Sequence, residues 1–228
     1  MKSQEIVRWW PLTQSFDLVK ATPKQTSVAV KKVFSQFTNR EPWRVRSTNF
    51  DGFDAAFSSV RKLTNVPTVF LVFPTHSKWS VLWSNSFLCD GYDSLCYNLT
   101  KQFQVETIHF TANDSPTVTD SGALVTFRRH DGATILERTI YSIKEDSRWT
   151  FYQRGDPLSF ENLERYRARR KRDRLNETSL MEMFALIGIH PWSVDFYDFS
   201  GQECYRIQRL RVPKTITSTP ISVVIGKK

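Results

Sequence analysis

The sequence predicts an α+β protein: a mixed, largely antiparallel sheet packed against several amphipathic helices. Three observations carry that prediction. Apolar residues recur at helical spacing in separate blocks, first Val30, Val33, Phe34 and Phe37, later Tyr92, Leu95, Cys96, Leu99 and Phe103. Consecutive β-rich runs lie between the helical blocks, without the regular strand–helix alternation of a parallel sheet. Asp131-Gly132 sits between the runs 123–130 and 133–143, where glycine accepts the positive φ of a tight hairpin turn.

Along the chain, Thr22-Pro23-Lys24-Gln25 is a helix start: Thr22 caps, Pro23 suits the first helical position and Gln25 completes a capping box. A second helix is expected over 53–63, with Phe53, Ala56, Phe57 and Val60 on one face. The run 68–73 is apolar on both faces, as a central, doubly covered strand requires. Trp79, Val81 and Trp83 alternate with Ser80 and Ser84, the pattern of a strand with one buried side. Strands are also expected over 105–110 and 149–153. Beyond Asp156-Pro157 the sequence predicts two helices. The second is capped by Asn176, buries Leu180, Met183, Phe184 and Ile187, and stops at Gly188. Short strands are expected over 194–199 and 203–210.

The chain has 228 residues, 40% hydrophobic, with 17 Phe and 7 Trp, which is ample for a core. Residues 1–211 read as a single α+β domain, with a subdivision near 155 as the alternative, and 212–228 as a Thr/Ser/Pro-rich tail. Three cysteines, an odd and sparse set, point to a reducing compartment. The stretch MKSQEIVRWWPLTQSF has no signal-peptide core, and Val69–Phe73 is too short to cross a bilayer. The expected location is the cytosol, without membrane association.

The formal net charge is +9, and one stretch dominates it. In RYRARRKRDR, residues 165–174, seven side chains are basic and Asp173 alone is acidic, so the segment carries +6. As a helix, this run spreads Arg165, Arg167, Arg169, Arg170, Lys171, Arg172 and Arg174 around the axis, with no stripe opposite an apolar face. Glu161 would then reach Arg165, and Arg169 would reach Asp173, at i,i+4 spacing. The run therefore reads either as solvated helix surface or as a cationic contact surface for a polyanion. No zinc finger, RNP1-like aromatic motif or GXXG loop accompanies it.

Catalytic signals are weaker. Cys89 precedes a helix start, where the dipole favours thiolate, His109 is a base within sequence reach, and Asp114 would orient it. The plain alternative makes Asp90 a helix cap and Cys89 a small packing residue. The four histidines have no metal-ligand spacing, and no C-x2-C or H-E-x-x-H occurs, so no metal is expected. No glycine-rich phosphate cradle occurs, so no cofactor is expected. The leading reading is a non-enzymatic intracellular binding protein of regulator, adaptor or toxin-neutralising type, with a protein partner. The alternative is a nucleic-acid-binding protein using a basic helix at 165–174. The third is a hydrolase or transferase centred on Cys89.

Overall fold

The computed structural model describes residues 6, 9, 12–37, 42–86, 92–113 and 121–224. In chain order the elements are β1 (Ser15–Val19), α1 (Pro23–Phe37), β2 (Trp43–Thr48), α2 (Phe53–Ser58), β3 (Lys62–Thr64), β4 (Val69–Phe73), β5 (Ser80–Ser84), α3 (Asp93–Phe103), β6 (Thr107–Asn113), β7 (Gly122–His130), β8 (Ile135–Glu145), β9 (Arg148–Arg154), α4 (Glu177–Ala185), β10 (Cys204–Arg209), β11 (Ser218–Pro220) and α5 (Ile221–Val224). Nine of the strands form one antiparallel sheet in the order β2-β10-β4-β5-β1-β6-β7-β8-β9. The fold class is α+β.

The centre of the sheet is covered on both faces, and strand alternation decides what each face meets. In β4, Phe70 and Val72 face a cluster with Val30, Val33 and Phe34 of α1 and Leu95 and Leu99 of α3. Leu71 and Phe73 face the larger cluster, with Phe53 and Phe57 of α2 and Leu180 and Phe184 of α4. Double cover also explains β5, whose five residues are all buried, where the sequence pattern suggested one solvated side. The larger cluster is rich in edge-on aromatic contacts, such as Phe110 against Phe184 at 4.9 Å and Trp192 at 5.1 Å.

Local signals set several boundaries. Gln25 N–H donates to Thr22 Oγ1 and Thr22 N–H donates to Gln25 Oε1, a reciprocal cap for α1. Asn176 and Ser179 make the same kind of box at α4. The helix expected over 53–63 stops at Ser58, because Lys62–Thr64 form β3 and pair with Ser218–Pro220 inside the Thr/Ser/Pro-rich stretch. The candidate strand 194–199 is instead a 3-10 turn over Val194–Phe196, whereas β10 inserts between β2 and β4.

β7 and β8 pair from His130↔Ile135, so their connection takes four residues rather than the two of a tight Asp-Gly turn. Asp131 holds it by accepting from the N–H groups of Ala133 at 2.9 Å and Thr134 at 2.7 Å. The two-residue hairpin is the next one, β8–β9, where Asp146 and Ser147 take φ of 46° and 67°. Two successive positive φ values are those of a type I′ turn, whose twist matches the flanking strands.

Gly155 ends β9 at φ +82°, and a Cβ there would lie 2.0 Å from the Glu137 carbonyl oxygen. Gly132 has φ +97° but open space around it. Gly155→Ala is therefore expected to lower the unfolding free energy by about 1–3 kcal/mol or more, and Gly132→Ala by clearly less. Urea denaturation of the two variants checks this, and equal losses would contradict it.

Candidate functional site

The arginine-rich segment is not a helix. It makes two 3-10 turns, Arg165–Arg167 and Lys171–Asp173, separated by extended backbone at Ala168 (ψ 140°) and Arg170 (ψ 125°). This corrects the expectation of a basic helix at 165–174, and the reason lies in the charges. A helix would set Arg165 against Arg169, Arg167 against Lys171 and Arg170 against Arg174 at i,i+4, where like charges repel. Of the two acids expected to offset this, Asp173 lies beside Arg172 rather than Arg169, and Glu161 is engaged elsewhere. Glu161 does not meet Arg165; its side chain is fully buried and pairs with Arg138 of β8.

The pair is closely built. Arg138 Nε donates to Glu161 Oε1 at 2.9 Å and Nη2 donates to Oε2 at 2.6 Å. The remaining Arg138 donors go to Gly155 O and Gln153 Oε1, both at 2.9 Å. Glu161 also accepts from Leu158 N–H at 2.8 Å and Tyr166 Oη at 3.1 Å. Burial and the Glu161 charge together push the Tyr166 phenol well above its usual range, so it stays a donor. Further along, Ser142 Oγ donates to Lys171 O at 2.7 Å, and the Arg174 guanidinium lies 5.2 Å from the Phe151 ring centroid. Tyr166 and Leu175 are buried. The segment is thus pinned to one face of β8 and β9.

These pins sort the cations. Arg174 is half-buried and donates to Ala168 O. Arg165 donates to Glu182 at 2.8 Å, and Arg167 pairs with Glu164 in full solvent, which adds little stability. Arg172 lies 3.6 Å from its neighbour Asp173. Arg169, Arg170 and Lys171 are exposed and have no side-chain partner among the described residues.

His109 lies elsewhere, on β6 under the start of α3. It is buried, and Nδ1 is 2.7 Å from Asp17 Oδ1 on β1. A carboxylate only accepts, so Nδ1 is the donor. The second Asp17 oxygen accepts from Tyr92 N–H at 3.2 Å, beside the first turn of α3. No described residue hydrogen-bonds His109 Nε2. Cys89 and Asp114 lie outside the described residues, and the carboxylate that orients His109 is Asp17. Nearby, Arg128 forks onto Asp93 at 2.6 and 2.9 Å and reaches Glu137 at 2.7 Å, tying α3 to β7 and β8. Burial, then Asp17, pushes the Cys96 thiol far above its usual value, and burial raises Cys204 to about 12, so both stay neutral thiols. Burial opposes charge on His109, but the hydrogen bond and charge of Asp17 outweigh it, and its pKa is raised.

No family model matches the chain, and neither a curated protein nor a solved structure matches it. Among the described residues, no helix is long and apolar enough to cross a membrane and no cluster of His, Cys, Asp or Glu could hold a metal ion.

Sequence reasoning did not single out Asp17, Arg128, Arg138 or Glu161 as a set. Their partners are 92, 35 and 23 residues away, beyond any local pattern. One signal was present: Asp17, Arg128 and Arg138 each interrupt a β-rich run at a position its neighbours make buried.

Glu161→Ala leaves Arg138 buried without its counter-charge and is expected to cost about 3–5 kcal/mol. Glu164→Ala, which loses only the exposed pair, should leave stability nearly unchanged. Chemical denaturation compares them, and a small loss for Glu161→Ala would show that the segment is held by something else. A second expectation concerns pH. The folded-state pKa of His109 lies above its ordinary 6.5, so its stabilisation is complete below that value and fades as pH rises through the folded value. Unfolding free energy should fall as pH rises above about 6.5, and His109→Asn should flatten the fall. An unchanged slope in the variant would assign the pH dependence to other groups.

Proposed function

We propose that this protein acts by binding an acidic surface of another protein through Arg169, Arg170, Lys171 and Arg172, without catalysing a reaction. One observation carries the reading: the first three of these cations have no partner among the described residues, while the backbone that displays them is anchored on both sides. A backbone held in place before association loses less conformational freedom on binding, which helps a compact cationic surface gain affinity and select its partner. The planar guanidinium of an arginine matches a carboxylate with two parallel hydrogen bonds.

The break in the helix supports a protein partner over groove binding. Duplex readout of the usual kind inserts a helix or ribbon in the major groove, and two 3-10 turns clamped to a sheet offer no such rod. One observation favours a second reading, single-stranded nucleic acid. Tyr141 and Tyr152 stack on the opposite face of β8–β9, with centroids 5.1 Å apart, and Tyr152 is exposed. Arg148 and Arg154 are on that same face. Sheet aromatics flanked by cations are a stacking platform for bases.

Titration with a fluorescent oligoglutamate peptide and with single-stranded DNA, each at several salt concentrations, tests the reading. The peptide should bind in a salt-sensitive way, and R169E/R170E/R172E should weaken it by about tenfold or more. Those three side chains are exposed, so the variant should keep its unfolding midpoint. Equal peptide affinity in the variant would overturn the proposal. Loss of DNA binding on Tyr152→Ala, together with no peptide binding, would establish the second reading instead.

A further inference from the structure

The outer boundary of the sheet at β9 is a built acceptor for one more strand. We infer that β9 takes an extended, acidic segment of a partner protein as a tenth strand of the sheet. This rests on the acidic-partner reading and specifies how that partner is held.

The type I′ hairpin at Asp146-Ser147 makes Glu145 and Arg148 a pair that exchanges both hydrogen bonds. Alternation then makes Ile143↔Thr150, Tyr141↔Tyr152 and Thr139↔Arg154 hydrogen-bonded pairs too. The N–H and C=O groups of Trp149, Phe151 and Gln153 therefore point away from β8. No described residue hydrogen-bonds these backbone groups, and β9 has no strand on that side. A row of unpaired donors and acceptors at strand spacing is a template for strand addition.

Charge selects the occupant. The strand RWTFYQR has two arginines and no acid. Arg148 and Arg154 lie on the Tyr152 face, and the segment carrying Arg169 to Arg172 is pinned to the Phe151 face. An added strand would therefore have cations above and below it. A second copy pairing β9 with β9 would bring the same arginines together, which the edge disfavours. An extended segment with acidic side chains would meet opposite charge on both faces while its backbone filled the open hydrogen bonds. The more common role of edge charge is to prevent such pairing altogether. The side chains of β9 itself carry charge of one sign, and with Arg169, Arg170 and Lys171 they outnumber the nearby acids Glu145 and Asp173, so the edge disfavours a basic strand and attracts an acidic one.

A synthetic peptide alternating Glu with Thr, and its counterpart alternating Lys with Thr, test this by hydrogen exchange on the full chain. The Glu peptide should slow exchange at the amides of Trp149, Phe151 and Gln153 by about tenfold or more, and the Lys peptide should not bind. Trp149→Pro removes one outward donor on the edge strand, where proline is tolerated. It should weaken Glu-peptide binding by about tenfold or more, with circular dichroism confirming the fold. Exchange in the unmutated chain decides the matter should the variant misfold. Binding that responds to R169E/R170E/R172E but leaves the three amides unprotected overturns strand addition while the acidic-partner reading stands. No Glu-peptide binding, or binding indifferent to that charge reversal, overturns both. Protection of the same amides without peptide, with a doubled mass in solution, would give the edge to a second copy and overturn the inference.

Discussion

Burying one carboxylate organises the basic half of this molecule. Glu161 is withdrawn from solvent and its charge is met by Arg138, which is itself buried in the sheet. Taking two ions out of water is costly, and the arrangement persists only because each remaining donor and acceptor is also satisfied. Arg138 spends its other N–H groups on Gly155 O and Gln153 Oε1, while Glu161 accepts from Leu158 and Tyr166. That geometry fixes the turn out of β9 and the entry into the 156–176 segment. With Glu161 committed to β8, Arg165 takes Glu182 instead, and local relief of the repulsion among neighbouring arginines is confined to the exposed Arg167–Glu164 and Arg172–Asp173 contacts. The chain resolves it by breaking into short turns.

The two faces of the sheet handle buried charge in different ways. On the side of α3, Arg128 bridges a helix acid, Asp93, and a strand acid, Glu137, so that one guanidinium positions the first turn of the helix over the sheet. Asp17 is held there as well, between His109 and the Tyr92 N–H. An Asp–His pair can orient a base for catalysis or cross-link two strands. The second role already accounts for both Asp17 oxygens, one held by β6 and the other by the start of α3. On the opposite face, the Arg138–Glu161 pair fastens an irregular segment rather than a helix. The result is a sheet whose outer strand has a backbone-anchored cationic segment beside it.

Periodicity and capping made much of the fold legible. α1, α3, α4 and β4 follow from apolar spacing, and the Thr22–Gln25 cap and the Asn176 cap are readable residue by residue. What was hidden depended on distance along the chain. β1 is short and carries Asp17, so SFDLV lacks an uninterrupted apolar pattern until its position between β5 and β6 is known. β10 reaches its place between β2 and β4 from the far end of the sequence. For the basic run the composition was plain but the conformation was not. Local i,i+4 bookkeeping offered Glu161 to Arg165, and a partner 23 residues upstream outcompeted it. His109 was visible as a titratable residue on a strand. Its carboxylate was not, because Asp17 lies 92 residues earlier.

The two edges of the sheet differ in a way that bears on recognition. β2 also carries arginines, Arg44 and Arg46, but no second arginine-rich segment is anchored beside it among the described residues. Isolated edge charges discourage pairing because an incoming strand must bury or displace them. At β9 the cations come from two separate parts of the chain, and those from 169–172 are tied down at the backbone rather than at their tips. On the proposed reading their charged ends would stay solvated until an acidic strand pairs, so the desolvation cost would fall on association and be offset only by carboxylates in register. An edge built in this way penalises neutral and basic strands while leaving the backbone acceptors of Trp149, Phe151 and Gln153 open. Selectivity then comes from the side chains and affinity from the main chain, a division of labour that a freely moving arginine-rich tail could not impose.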